Sequence, residues 1–127
     1  MIESPTNILI VDDDPGVAEV VAAQLERAGF LTRCVYSGEE ALRVLRESEF
    51  DVVLLDYSMP GMNGVEVLRE IKGSHPRTSV IMVSGAPPPE VVAEALRLGA
   101  LEYLFKPVKF AELERALARA IGRGSRP

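Results

Sequence analysis

The chain has 127 residues and a formal net charge of -5, and its 47% hydrophobic and 26% charged residues are typical of one globular domain rather than a disordered chain. The acidic balance argues against direct binding to nucleic acid or to an anionic membrane, and no apolar run approaches the roughly 18 residues that a membrane span needs. Because the N-terminus lacks the features of a signal peptide and the single cysteine, Cys34, excludes an intrachain disulfide, we expect a cytoplasmic protein.

Short apolar runs and amphipathic helical segments alternate along the chain, beginning with a strand predicted at 8–11. Asp14 and Pro15 predict the start of the first helix, with Asp14 as its N-cap and Pro15 in its first turn. We expect this helix to end at Gly29, since glycine favours the left-handed conformation that closes many helices. The residues predicted to face the core recur with the helical period and are Val17, Val20, Val21, Leu25 and Ala28.

The same alternation continues through the rest of the sequence. A second strand is predicted around 31–36, and Ser37 with Glu40 has the spacing of a capping box at the start of a second helix. Further strands are predicted at 52–55, 80–83 and 101–105, with a third helix marked by Val65, Leu68 and Ile71 and two more helices at about 89–98 and 109–121. Five successive β-then-α units predict one α/β domain, in which helices cover both faces of a parallel sheet.

The residues best suited to chemistry come directly after a predicted strand. The three aspartates at 12–14 follow the first strand, Asp56 the third, Ser84 the fourth and Lys106 the fifth. The carboxyl ends of the strands in an open parallel sheet share one edge, and ligands bind outside that edge. We therefore expect these side chains to form a single site.

Carboxylates that meet at such an edge repel one another, and each raises the pKa of the others. A hard divalent cation relieves this repulsion, and carboxylate oxygens with water are the ligands that Mg²⁺ prefers. A lysine and a hydroxyl complete the groups that stabilise a phosphoryl group in transfer, and an aspartate can itself be the nucleophile. The sequence thus indicates that Asp56, at the end of a buried strand, accepts a phosphoryl group.

Four segments resemble the motifs of a known family. They are VDDDP at 11–15, LLDYSMPGMNG at 54–64, VSGA at 83–86 and YLFKP at 103–107. In this order and on these strand ends they are similar to the receiver domain of bacterial two-component response regulators, over the chain from Ile8 to Ile121. The resemblance implies a single doubly wound, flavodoxin-like domain with five helices and a five-stranded parallel sheet in the order 2-1-3-4-5, an order for which chemotaxis receivers are a standard example.

The resemblance also implies a role for individual residues. Asp56 is the implied phosphoacceptor, and Ser84 and Lys106 are the implied contacts of the phosphoryl group. The implied ligands of Mg²⁺ (or Mn²⁺) are Asp12, Asp13, Asp56 and the backbone carbonyl of Ser58. Ser84 and Tyr103 form the implied switch pair, in which Ser84 moves to the phosphoryl group and Tyr103 turns into the vacated space. A cis peptide bond between Lys106 and Pro107 is implied to aim the lysine inward.

The partners implied are a sensor histidine kinase or phosphotransfer protein, and an output domain or downstream protein. The output domain or downstream protein would read the surface of the fourth helix, fifth strand and fifth helix, and a phosphorylation-dependent homodimer is also expected. We expect a signalling domain rather than an enzyme, without direct nucleic-acid or membrane contact. Residues 1–122 are predicted to form the receiver domain, and 123–127 a C-terminal tail or the start of a linker. The sequence leaves open a stand-alone receiver or part of a longer regulator.

Other functions share part of this pattern. A flavodoxin-like mononucleotide-binding module would need a glycine- and hydroxyl-rich loop after the first strand, where this chain has DDDP. A phosphatase of the haloacid dehalogenase type would need a second aspartate at position 58, which is Ser58. A pseudo-receiver would lack part of the receiver pocket, whereas this sequence contains all the motifs of that pocket. A phosphate sink without conformational output also stays open, because the prolines at 87–89 restrict the loop after the fourth strand.

Overall fold

The structure, a computed structural model, describes residues 5–124, with side chains as far as Gly122. Strands and helices alternate throughout this part of the chain, as predicted, with small shifts at the element ends. They are β1 (Asn7–Val11), α1 (Pro15–Arg27), β2 (Leu31–Val35), α2 (Gly38–Glu47), β3 (Val52–Leu55), α3 (Gly64–Ser74), β4 (Ser79–Ser84), α4 (Pro89–Arg97), β5 (Glu102–Phe105) and α5 (Phe110–Gly124). The tail predicted at 123–127, like the first residues of the predicted domain, lies partly outside the described residues.

The five strands form one parallel sheet in the order β2-β1-β3-β4-β5, which confirms the order that the resemblance implies. β3 lies in the middle of the sheet, and all four of its side chains are buried. The register places Val11 of β1 opposite Leu55 of β3. The next residue on each strand is an aspartate, so Asp12 and Asp56 leave the sheet side by side.

A separate hydrophobic core lies on each face of the sheet, because successive strand residues point to opposite faces. Val53 and Leu55 of β3 belong to the core that α2, α3 and α4 cover. Val52 and Leu54 belong to the core that α1 and α5 cover. Among residues 5–124 there is no helix whose length and hydropathy suit a bilayer span. The carboxyl edge of the sheet, where the predicted site residues emerge, lies between the two cores.

The buried face of α1 matches the predicted one only in part, since Leu25 is buried and Val21 is partly buried but the other predicted residues are exposed. Its buried residues are Ala18, Ala22 and Leu25, whereas Val20 is 61% exposed and Val17 and Ala28 are also exposed. Both sets of residues recur with the helical period, so periodicity alone did not distinguish them, and the prediction favoured the larger side chains. The small alanines allow the helix to approach the sheet closely. The N-cap prediction is confirmed, because Asp14 Oδ1 accepts hydrogen bonds from the backbone N–H groups of Gly16 (3.0 Å) and Val17 (3.3 Å).

Gly64, the first residue of α3, holds the loop that follows Asp56. Its backbone N–H donates a 2.9 Å hydrogen bond to the carbonyl oxygen of Tyr57. A Cβ at this position would lie 2.4 Å from the carbonyl oxygen of Asp56 and 2.7 Å from Tyr57 Cα. The start of α3 therefore packs directly on the backbone that carries Asp56, an approach that only glycine permits.

Gly64→Ala should destabilise the fold by about 1–3 kcal/mol, because the added methyl group must displace backbone atoms. The matched control is Gly73→Ala in the same helix, where a Cβ would meet nothing within 4 Å. That substitution should be neutral or should stabilise by up to about 1 kcal/mol, since alanine favours a helix more than glycine does. Urea unfolding measures both changes. If the two variants were destabilised equally, the close approach of α3 to the Asp56 backbone would be wrong.

Candidate functional site at the carboxyl edge of the sheet

Asp56 is held in a fixed place directly after β3. The residue is buried, with only 6% of its surface exposed. The Asp56 backbone N–H donates to the carbonyl oxygen of Val11 at 3.0 Å, which continues the pairing of β3 with β1 past the last strand residue. Asp56 Oδ1 accepts a 3.1 Å hydrogen bond from the backbone N–H of Ser58. The second carboxylate oxygen is left to face the neighbouring strand ends.

Lys106 supplies the positive charge beside this carboxylate. Its Nζ donates to Asp12 Oδ2 at 2.8 Å and to Asp56 Oδ2 at 3.1 Å, so one ammonium group bridges the two aspartates. The Lys106 backbone N–H donates to the carbonyl oxygen of Ser84 at 2.7 Å, which fixes the lysine to the end of β4. The peptide bond between Lys106 and Pro107 is cis, as the resemblance implies.

The electrostatics of the site follow from burial and from these contacts. Burial raises the pKa of the Asp56 carboxyl, the hydrogen bond and charge of Lys106 partly offset this rise, and the charge of Asp12 adds to it. Burial alone would lower the pKa of Lys106, but its hydrogen bonds to Asp12 and Asp56 and the charges of both carboxylates raise that pKa above the usual value. Lys106 is therefore a permanent cation at this edge.

Three aspartates come close enough to share a metal ion. Asp12, Asp13 and Asp56 each offer a carboxylate oxygen, and these oxygens lie within 4.8 Å of one another. Asp12 and Asp56 are buried, whereas Asp13 is exposed and leaves the group open to solvent. Three carboxylates with access to water suit a hard cation such as Mg²⁺. The role of the Ser58 carbonyl stays a prediction, and Asp14 caps α1 outside this group.

Ser84 and Tyr103 are also brought together, on the side of the sheet that α4 covers. Ser84 is 1% exposed, and its Oγ lies 2.8 Å from the Tyr103 hydroxyl oxygen. The tyrosine is thus already turned towards Ser84 without a phosphoryl group. Burial raises the pKa of the Tyr103 hydroxyl, its hydrogen bond with Ser84 offsets part of this rise, and the charge of Asp56 adds to it.

The sequence analysis missed two features next to these residues. The first is Phe105, whose ring stacks on Tyr103 with a centroid distance of 5.6 Å. Its position two residues after Tyr103 on the same strand was the available signal, since such residues share a face. The second is a groove of about 780 Å³ that runs from Asp56 and Lys106 along α1. Its apolar wall includes Val17, Val20 and Val21, three of the five α1 residues predicted to face the core.

The family model for the response regulator receiver domain matches residues 8–118. The chain belongs to this family. It is therefore a receiver domain of two-component signalling systems, and the phosphorylation of an aspartate is characteristic of such domains. Receiver domains pair with histidine kinases and act in signalling.

Solved receiver domains share the whole fold. A CheY-like response regulator receiver domain protein from Methanospirillum hungatei superposes with a TM-score of 0.93 at 29% identity, covering 96% of this chain and 98% of that one. A receiver domain from Clostridium thermocellum gives a TM-score of 0.90 at 34% identity, covering 94% and 97% of the two chains. The flavodoxin-like receiver fold is thus confirmed.

Curated relatives are longer than this chain. The transcriptional regulatory protein ZraR of Salmonella typhimurium is 38% identical over 121 residues, which is 95% of this chain but 27% of ZraR. The transcriptional regulatory protein MalR of Bacillus subtilis is 40% identical over 114 residues, or 88% of this chain and 48% of MalR. The chain therefore spans between about a quarter and a half of the length of these two relatives.

Asp56→Asn should make the metal-free protein more stable. Burial raises the pKa of the Asp56 carboxyl in the folded state, so its ionised form disfavours folding. For the same reason, the wild type should gain stability as the pH falls through this folded-state pKa, and the variant should lack that gain. Thermal unfolding in EDTA at several pH values measures both effects, with Glu70→Gln as a control that removes an exposed charge.

Addition of Mg²⁺ should make the wild type more stable than Asp56→Asn, which reverses their order in EDTA. An ion that binds only the folded state adds about 2.7 kcal/mol to the free energy of unfolding when it is present at one hundred times its Kd. Asp56→Asn and Asp13→Asn each remove a negative oxygen ligand and should lose most of this gain. Equal stabilisation of both variants and the wild type would place the ion elsewhere.

Proposed function

We propose that this receiver domain accepts a phosphoryl group on the Asp56 carboxylate from a histidine kinase or phosphotransfer protein. The phosphorylated form then controls an output domain or a downstream protein through the surface of α4, β5 and α5. The observation that carries the proposal is the buried Asp56 carboxylate, with Lys106 Nζ at 3.1 Å and carboxylates of Asp12 and Asp13 within 4.8 Å. We further propose that the domain is a signalling component and not an enzyme with a diffusible substrate.

The chemistry of the transfer is a nucleophilic substitution at phosphorus. A carboxylate oxygen of Asp56 forms a bond to phosphorus while the bond from phosphorus to the donor, an imidazole nitrogen of a phosphohistidine, breaks with its electron pair on that nitrogen. The product is an aspartyl phosphate. Lys106, now between Asp12 and Asp56, donates to an oxygen of the incoming group and offsets its charge. Mg²⁺ or Mn²⁺ held by Asp12, Asp13, Asp56 and the Ser58 carbonyl would supply further positive charge there.

The switch that we propose is an exchange of hydrogen bonds at Ser84. In the unphosphorylated protein Ser84 Oγ contacts the Tyr103 hydroxyl at 2.8 Å. A hydrogen bond between neutral groups contributes about 0.5–1.5 kcal/mol, whereas one to a charged group contributes about 1.5–3 kcal/mol. Exchange of Tyr103 for a phosphoryl oxygen is therefore favourable for Ser84. Tyr103 already lies beside Ser84 in this structure. The exchange would therefore release the Tyr103 hydroxyl from Ser84, and the tyrosine would not first have to turn inward to reach it.

Two alternatives fit the site less well. A mononucleotide-binding module is disfavoured because the loop after β1 carries the carboxylates of Asp12, Asp13 and Asp14 rather than the glycines and hydroxyls that would cradle a nucleotide phosphate. A phosphate sink would use the same acceptor but leave the Ser84–Tyr103 pair unchanged. The buried contact of that pair favours a receiver with conformational output. A phosphorylation-dependent homodimer through the α4–β5–α5 surface is part of the same proposal.

The groove beside the site supports a protein as the phosphodonor. It reaches Asp56 and Lys106 at one end, and its wall is formed by apolar residues of α1 and of the segment after β5, including Val20, Pro107 and Val108. A small phosphodonor needs access to Asp56 but no contact along α1. An apolar groove that continues from the reacting carboxylate suits the side chains of a docked protein.

Incubation with acetyl phosphate and Mg²⁺ should label the wild type with a phosphoryl group that is lost in alkali, as an acyl phosphate is. Asp56→Asn should abolish the label, because no acceptor carboxylate remains. The matched control is Asp51→Asn, just before β3 at the opposite edge of the sheet, which should keep the label. Radiolabelling with an alkali wash measures it. Undiminished labelling of Asp56→Asn would remove the proposed function.

Val20→Glu should slow transfer from a phosphorylated protein donor by about tenfold, as expected when an interface loses about 1.4 kcal/mol. Labelling by acetyl phosphate should be unchanged, since Val20 lies on the groove wall outside the acceptor site. Leu31→Glu is the matched control, because Leu31 is an exposed apolar residue of β2 that does not line the groove. Comparable rates for Val20→Glu and the control with the protein donor would exclude the groove as the docking site.

A further inference from the structure

The side chains of Ser84, Tyr103 and Phe105 share one face of the sheet. Tyr103 and Phe105 are two residues apart on β5, and the register places Ser84 of β4 directly opposite Phe105. Tyr103 packs against the core under α4. Val80 and Met82, which point to the same face of β4 as Ser84, also belong to that core. The three residues therefore form a continuous group from the buried end of β4 to the outer strand of the sheet.

Two contacts hold Tyr103 within this group. Its hydroxyl oxygen lies 2.8 Å from Ser84 Oγ, and its ring stacks on Phe105 with a centroid distance of 5.6 Å and an interplanar angle of 29°. Phe105 itself is 53% exposed, which is unusual for an aromatic residue that serves only the core. The Tyr103 hydroxyl thus contacts the buried serine, while the stacked ring of Phe105 reaches the surface.

We propose that Phe105 is a positioning residue, whose ring holds Tyr103 against Ser84 and carries the state of the Ser84–Tyr103 pair to the surface at the end of β5. The first half concerns the unphosphorylated protein alone. The second half rests on the proposed function, since it requires Ser84 to leave Tyr103 for a phosphoryl group. The two halves make separate predictions.

The physical basis is the coupling of a stack to a hydrogen bond. Stacked aromatic pairs favour their contact geometry beyond simple area burial, enough to change a two-state population about twofold to tenfold. The Ser84 hydroxyl is buried and requires a partner, so a tyrosine kept in place by Phe105 satisfies it at little entropic cost. When Ser84 exchanges this partner, the Tyr103–Phe105 stack loses its buried restraint. The exposed ring then changes position.

The test of the first half compares two substitutions at position 105 in the unphosphorylated protein. Phe105→Leu removes the stack but keeps an apolar side chain, whereas Phe105→Trp restores an aromatic ring. Nuclear Overhauser contacts between the Tyr103 ring and the Ser84 side chain report the pair, with Tyr103→Phe used for assignment. Leu31→Ala, which alters an exposed apolar residue of β2 away from the groove, is the control.

The contacts should weaken at least twofold in Phe105→Leu and should be retained in Phe105→Trp and in Leu31→Ala. Thermal unfolding should show all variants folded, so that loss of contact is not loss of structure. Unchanged contacts in Phe105→Leu would overturn the positioning role. Equal weakening in Phe105→Leu and Phe105→Trp would overturn it too, because the ring would then be irrelevant.

The second half uses the absence of tryptophan from the sequence, since the indole of Phe105→Trp is then the only one. Beryllofluoride with Mg²⁺ mimics the phosphoryl group and should shift the emission of this indole. The shift should disappear when Ser84→Ala is added. Binding of beryllofluoride without any shift in emission would overturn the link to the surface. Failure of beryllofluoride to bind would instead contradict the proposed function and leave the contacts of the first half to stand.

Discussion

A carboxylate buried at the end of β3 is the constraint on which the rest of this site depends. Asp56 is 6% exposed, and a charge in such a place is costly unless other charges or hydrogen bonds compensate it. Lys106 provides that compensation, but only because the order β3-β4-β5 and the contact of its backbone with Ser84 bring it back over the sheet. The same register places Asp12 beside Asp56. The strand order and register therefore bring together the charges that the site needs.

The site lies at the edge between the two cores, so groups from both faces of the sheet reach it. The groove along α1 belongs to one face of the sheet and reaches Asp56 and Lys106. Ser84 and Tyr103 lie on the other face, under α4. On our proposal, a phosphodonor would bind the groove along α1, and a partner would read the surface of α4, β5 and α5. Both would depend on one carboxylate, and Leu113 of α5 lies in the lining of the groove.

Much of this arrangement could be predicted from the sequence. Apolar runs and helix caps predicted the ten elements. Because the carboxyl ends of parallel strands share an edge, the sequence also predicted one site that contains Asp12, Asp56, Ser84 and Lys106. The strand order required the resemblance, because periodicity carries no information on which strands are neighbours. The buried face of α1 was predicted only in part. Leu25 is buried as expected, but Ala18 and Val20 fit the helical period equally well and only packing distinguishes them. The stack of Phe105 on Tyr103 depends on rotamers, which a linear pattern does not contain.

The central claim is that the acceptor is Asp56 and no other residue. Borohydride reduces an aspartyl phosphate to homoserine, which changes the mass of the peptide that contains it. The protein should be phosphorylated in Mg²⁺, reduced, digested and mapped by mass spectrometry. The account predicts homoserine at position 56 alone, with Asp12 and Asp13 unmodified. An unmodified Asp56 in a phosphorylated protein, with the phosphoryl group on another side chain such as His75, would contradict it.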